Sequence, residues 1–218
     1  MKIGILTYHY GYNFGGVLQC FALQQTLKEL GFSNVQVVNC IPNRVKFYLG
    51  GLPRKRRIRT VFDWWLRLRY GRKCRKSFNS FRKNYLNMTA EIERKFLPAL
   101  ANSFDVLIVG SDQIWNYREQ ANGMFFLDWK PSFKGVKIAY APCCGKNLVN
   151  EKYRASLNKA LIDFHVLTVR NKETQLFVKN LTGIMPSIVP DPTFLYDFRK
   201  YIKNRMIKDK YIFVYTLG

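Results

Sequence analysis

The chain opens with a short apolar run, Ile3–Leu6, then a polar, glycine-containing loop, then a stretch with apolar residues at helical spacing. Similar runs recur at Val35–Val38, 105–109, Val136–Tyr140 and Val166–Val169, with another near Ser187–Val189. Runs this short and this apolar read as buried strands of a parallel sheet. Between the first two, Val17–Leu30 places Leu18, Phe21, Ala22, Leu23, Leu27 and Leu30 at helical intervals and stops at Gly31. A second helix is predicted around Glu151–Phe164. Strand, helix and strand in this order predict a βαβ opening with a right-handed crossover. The fold class is α/β: a Rossmann-like parallel sheet flanked by helices, formed by residues 1–200.

The alternation breaks between residues 41 and 100. Gly50, Gly51, Pro53 and a basic run lead into Val61–Tyr70, which has helical spacing and carries Trp64 and Trp65. Phe78, Phe81 and Tyr85 continue a second helical stretch. This predicts a basic helical insertion at about 44–100, packed outside the central strands and not a further βα repeat. At the other end, Asp197–Lys210 is a polar, Lys/Arg-rich stretch, and Tyr211–Leu217 has the composition of a buried strand. Residues 201–218 therefore read as a linker helix and the first strand of a second domain.

Hydrophobic residues make up 48% and aromatic residues 16% of the 218 positions, which excludes a largely disordered protein. No apolar stretch approaches the roughly 20 residues that span a bilayer. The N-terminus reads as a first strand rather than a signal peptide, so a cytoplasmic location is expected. Five cysteines, without metal-ligand spacing, point to reduced thiols and to no metal site. Charge changes the picture more. From Arg44 to Lys83, fifteen Lys and Arg stand against one acid, Asp63, carrying +14 of the net +22. Nucleic acid, an anionic membrane face and an acidic small substrate are the partner classes such a segment suits.

Candidate chemistry gathers where predicted strands end, the edge at which ligands bind in open parallel sheets. Val106–Val109 runs into Gly110, followed at once by Ser111, Asp112, Gln113, Trp115 and Asn116. Read alone, this is a helix N-cap; read as a site, it is a dense set of hydrogen-bonding groups for a polar substrate. The loop Tyr8–Gly16 joins a strand to a helix N-terminus, where free N–H groups suit an anion or a sugar. Its spacing matches neither the dinucleotide fingerprint nor the P-loop. His9 sits at the end of the first strand, as an acid/base group, a substrate contact or a plain loop histidine. Arg170 ends Val166–Val169; it is either a surface arginine or a bidentate grip on a carboxylate or phosphate. Asp191, in Val-Pro-Asp-Pro-Thr, weighs as structural more than catalytic.

Gly110-Ser111-Asp112-Gln113-Ile114-Trp115-Asn116 resembles the hallmark of the polysaccharide pyruvyl transferase family. Four further stretches match the family in order. Asn13, Gly15, Leu18, Gln19, Ala22, Leu23 and Gln24 fit its first motif. Tyr140, Ala141 and Gly145 fit its Tyr-Ala-Ala-Ser-Phe-Gly segment, with Pro142, Cys143 and Cys144 where Ala, Ser and Phe are usual. Arg170 fits the arginine of Ser-Val-Arg-Glu, with Asn171 replacing the acid, and Asp191-Pro192-Thr193 fits Asp-Pro-Thr. The resemblance runs from Lys2 to about residue 217 and is least over 44–95.

The resemblance implies one half of a two-domain, glycosyltransferase-B-like architecture, in which a pyruvate ketal is placed on sugar hydroxyls. Phosphoenolpyruvate is the donor, a sugar or lipid-linked glycan is the acceptor, and no cofactor is required. Arg170 and Asp112 carry the catalytic assignment. His9, Asn13, Phe14, Gly15, Ser111, Gln113, Tyr140 and Cys143 are the substrate contacts, Cys143 being a poorer donor than the usual serine. Family members are longer than this chain and bring further donor-binding residues in their second half, so this chain is expected to be inactive by itself. The basic segment 44–83 is expected to touch an anionic membrane face. The competing readings are a non-catalytic basic module for nucleic acid or membrane, and another glycosyltransferase-B-like sugar transferase.

Overall fold

The structure is a computed structural model that describes residues 1–42, 75–120, 123–146, 148–202, 209–212 and 214. Most of the basic segment, including the stretch Val61–Tyr70, lies outside the described residues.

Six parallel strands form one sheet: β1 (Ile3–Leu6), β2 (Val35–Val37), β3 (Val106–Val109), β4 (Val136–Ala139), β5 (Val166–Val169) and β6 (Ser187–Ile188). Their spatial order is β2-β1-β3-β4-β5-β6. The chain moves outward from β1 to β2, then crosses back to β3, so the direction of winding reverses between β1 and β3. Loops leaving these two strands diverge there and open a crevice. The parallel sheet expected from the apolar runs is what the chain forms.

Alternating side chains of each strand serve opposite faces. Ile3, Ile5, Val106 and Ile108 pack with Phe21, Ala22 and Leu23 of α1 (Phe14–Glu29). Leu6, Leu107 and Val109 pack on the other face, with Trp115, Phe125, Leu161 and Phe177. That second face is covered by α3 (Leu97–Ala101), α4 (Arg154–Ile162) and α5 (Lys172–Thr182). The reading by runs misses α5. Its stripe Thr174, Phe177, Val178, Leu181 is clear once Asn171 is seen to cap it and Gly183 to end it.

Residues 75–85, the described start of the insertion's second helical stretch, are helical (α2), and Phe81 and Tyr85 meet Phe21 of α1 edge-on. The chain then meets the sheet at its outer edge, outside the central strands. Val37 pairs in parallel with Met88, and Cys40 with Ile92. The buried Gln24 amide clasps Asn87 from both sides, accepting from its N–H at 2.9 Å and donating to its carbonyl at 2.8 Å. A buried glutamine left unpaired would be costly, so this clasp fixes the register. The described part of the insertion thus touches the sheet through two isolated pairings beside β2 and forms no strand of its own.

At the C-terminal end, Phe198–Tyr201 is a short helical turn near the start of the stretch expected to be a linker. Residues 203–208, 213 and 215–218 lie outside the described set. Tyr211, Ile212 and Val214 belong to no strand and are exposed. No described helix is long and apolar enough to cross a membrane.

Candidate active site

Beyond the carboxyl ends of β3, β4 and β5 the strands stop, but their main-chain bonding continues. Cys143 N–H donates to Asp112 O (2.8 Å), Trp115 N–H to Cys143 O (3.1 Å) and Arg170 N–H to Pro142 O (3.1 Å). Three loops thus form one floor. Its closeness demands Gly110, which has φ +112° and whose Cβ, if present, would lie 2.1 Å from the Tyr140 carbonyl oxygen. Asp112 (φ +77°) and Ala141 (φ +51°) hold left-handed backbone that non-glycine residues adopt at a cost of roughly 1–3 kcal/mol each. Such backbone collects at functional sites, because there the surroundings over-determine it.

A polar network fastens this floor to α1. Asn13 caps α1, its Oδ1 accepting from Gly16 N–H at 3.3 Å. The helix therefore starts three residues earlier than the apolar spacing suggests, with Phe14 and Gly15 exposed in its first turn. The buried Gln19 Nε2 donates to Thr7 Oγ1 (3.0 Å) and Gly16 O (2.8 Å), while its Oε1 accepts from Ser111 N–H (3.0 Å). The Thr7 hydroxyl donates to Ser111 O at 2.9 Å. Asp112 reaches back to this helix: its Oδ2 would stand 3.2 Å from a Cβ on Gly16, against the positive end of the helix dipole. Its Oδ1 accepts from Gln113 N–H at 2.7 Å. The Gln113 side chain is exposed beside Gly145.

Asp191 is the hub of the other half. Its Oδ2 accepts from Ser111 Oγ (2.9 Å) and Arg170 Nη1 (3.0 Å), its Oδ1 from Thr193 N–H (3.1 Å) and Thr193 Oγ1 (2.8 Å). Burial works against the carboxylate charge, but these four bonds outweigh it and hold Asp191 below the ordinary carboxylate range. Burial likewise opposes the Arg170 charge, and Asp191 with Cys143 outweighs that, so the guanidinium stays charged. Tyr140 donates to Pro190 O at 3.2 Å, and its phenol is pushed up by burial and by Asp191. The Cys143 sulfur accepts from Gly145 N–H (3.3 Å) and Asn171 Nδ2 (3.5 Å).

Asn13, Phe14, Gly15, Ser111, Asp112, Gln113, Tyr140, Cys143 and Arg170 therefore share one edge, around the β1/β3 crevice and its continuation to β5. His9 does not join them. It is 1% exposed, with Nδ1 on Thr7 O (3.1 Å) and Nε2 on Asn39 Oδ1 (3.0 Å), and burial lowers its pKa, so it is a neutral core residue beside β2. Ser111 is also fully buried and acts through Asp191. Gln19 and Asp191 contribute more than the sequence alone conveys. A glutamine among the buried positions of an apolar helix was the available signal.

The sequence model of the family described as polysaccharide pyruvyl transferase matches residues 13–218. The chain belongs to the polysaccharide pyruvyl transferase family. Membership makes it a member of a transferase family, with a sugar or glycan as the implied acceptor. The floor, the α1 cap and the Arg170–Asp191 pair all fall within the matched region. A comparison with curated proteins gives no match. No cluster of three His, Cys, Asp or Glu that could hold a metal occurs among the described residues.

Proposed function

We propose that this family member moves the pyruvyl group of phosphoenolpyruvate onto two hydroxyls of a sugar, forming a ketal during cell-surface polysaccharide synthesis. The carrying observation is the Arg170 guanidinium, oriented by one Asp191 oxygen at the same edge as Asp112. Asp191 and Cys143 hold one side of the guanidinium, and its remaining N–H groups bind the donor's carboxylate or phosphate. Asp112, with Oδ2 outside its local bond, orients an acceptor hydroxyl and takes its proton, and Gln113 holds a neighbouring hydroxyl.

The reaction balances without a cofactor. A proton adds to the donor methylene, leaving a cationic centre at the enol carbon, and one acceptor oxygen bonds there and loses its proton. The C–O bond to phosphate breaks, and the second hydroxyl closes the ketal with loss of its own proton. The products are the ketal and inorganic phosphate. Fixed positive charge over the donor is the main stabilisation available. The basic segment 44–83 would hold the enzyme at an anionic membrane face, where a lipid-linked acceptor is presented.

The test is phosphate release by the purified protein with phosphoenolpyruvate and a panel of acceptor sugars. Arg170→Gln is expected to lower the rate by about 10²–10³-fold. Release that is indifferent to Arg170 and Asp112 would refute the assignment.

A further inference from the structure

On the far side of the loop that follows β1, a hollow of about 220 Å³ opens between that loop, the end of β2 and α2. His9, Tyr12, Asn39, Asn79, Arg82 and Glu91 are on its wall. A shallower groove of about 390 Å³ continues past Arg82 and shares Asn79 and Met88, with Lys83 and Thr89 beyond. Neither is lined by Asp112 or Arg170.

Arg82 is half-buried between the two, and its partners are neutral oxygens. Nη1 donates to Gly11 O (2.7 Å) and His9 O (3.4 Å), and Nη2 to Asn79 Oδ1 (2.6 Å). Of its five N–H groups, the Nε–H and one on Nη2 have no partner among the described residues. Arg75 lies 5.8 Å and Arg82 5.9 Å from the centroid of the Tyr12 ring, so two guanidinium groups meet one phenol on the wall of the hollow. Glu91, the acid on the wall, already has a partner. The described residues of α2 carry Arg75, Lys76, Arg82 and Lys83 and no acid. The hollow holds roughly seven waters at about 30 Å³ each, enough for one or two phosphoryl groups.

The geometry points to a phosphoryl-binding subsite, in which Arg82 on the shared wall takes the phosphate or diphosphate portion of a ligand, with Lys83 of the adjoining groove and Arg75 at the Tyr12 ring as supporting cations. It does not depend on the pyruvyl-transfer reading, since its groups are separate from Arg170 and Asp112.

Calorimetric titration of the whole chain with inorganic pyrophosphate is the first arm, and co-sedimentation with vesicles containing phosphatidic acid is the second. Saturable pyrophosphate binding is expected, weakened about five- to tenfold by Arg75→Gln and by Arg82→Gln. Arg170→Gln should leave it intact. Arg82 also latches the loop, so Arg75→Gln, which breaks no described hydrogen bond, keeps the test independent of folding. If pyrophosphate displaces the vesicles, a lipid headgroup is the occupant; if it binds and vesicles do not, the occupant is a free phosphorylated ligand. Failure to bind either, binding indifferent to Arg75 and Arg82, or loss of binding in Arg170→Gln alone would overturn the subsite.

Discussion

Ser111 Oγ and Asp191 Oδ2 stand 2.9 Å apart, joining two loops that are 80 positions apart in the chain. The same carboxylate oxygen receives Arg170, so one acid fixes a backbone turn and the guanidinium at the candidate site together. Asp191→Asn keeps the shape and removes the charge. It should destabilise the protein by about 1–3 kcal/mol at pH 7, because the Ser111 and Arg170 donors lose an ionised acceptor. Asp191 is held below the ordinary carboxylate value, so its contribution is complete above about pH 3.9 and fades as pH falls through its own lower value. Urea unfolding of both proteins at neutral and strongly acid pH checks this: the gap should be wide at pH 7 and close in acid.

Two glycines with left-handed backbone should respond differently to alanine. At Gly110 the new methyl would meet the Tyr140 carbonyl, and the backbone itself resists a side chain. A loss of at least about 3 kcal/mol is expected, enough to leave little folded protein. At Gly11 (φ +89°) nothing lies within 4 Å of the added carbon. Only the backbone cost of about 1–2 kcal/mol should appear. Thermal melting of the two variants side by side separates them.

His9 predicts an acid sensitivity of the fold. Burial lowers its pKa in the folded state, so the unfolded chain binds the proton more readily below about pH 6.5. Stability is full above that value and falls as pH drops below it, by at most about 1.4 kcal/mol per pH unit. Replacing His9 with Gln should flatten the decline between pH 6.5 and 5, measured by chemical denaturation. An unchanged slope would assign it to other groups.

Trp115 joins the site to the core. It is fully buried, stacks on Phe126 with centroids 5.4 Å apart, and donates Nε1–H to Phe125 O at 2.9 Å. Trp115→Phe should cost about 1–3 kcal/mol, mainly by leaving the Phe125 carbonyl without its donor. Trp115→Ala should cost about 3–5 kcal/mol through the cavity. Denaturant midpoints resolve the two.

The strands were legible because buried parallel strands are apolar on both faces, as at Val106–Val109, and no tertiary contact is needed to see that. The edge to which Asp112, Tyr140 and Arg170 come was legible for the same reason, since each follows a visible strand. Two features needed the third dimension. His9 follows β1 as a site residue would, and only its burial against Thr7 and Asn39 removes it from the site. The return of 86–92 to the sheet rests on Gln24 gripping a backbone 63 positions away, which no periodicity announces. Asp191 was legible as a structural residue of its Pro-Asp-Pro turn, and it does cap that turn and bond a neighbouring loop; that the partners are Ser111 and Arg170 only the structure tells.

The floor beneath the site is tied by peptide groups, and peptide groups are the same whatever side chain they carry. Gln113, whose side chain is exposed, can therefore be exchanged while the surface beneath it keeps its form. Cys143 enters the floor through its N–H and carbonyl, and its sulfur adds bonds from Gly145 N–H and Asn171 Nδ2. A substitution at a position such as Gln113 changes what the edge presents without unfolding what supports it.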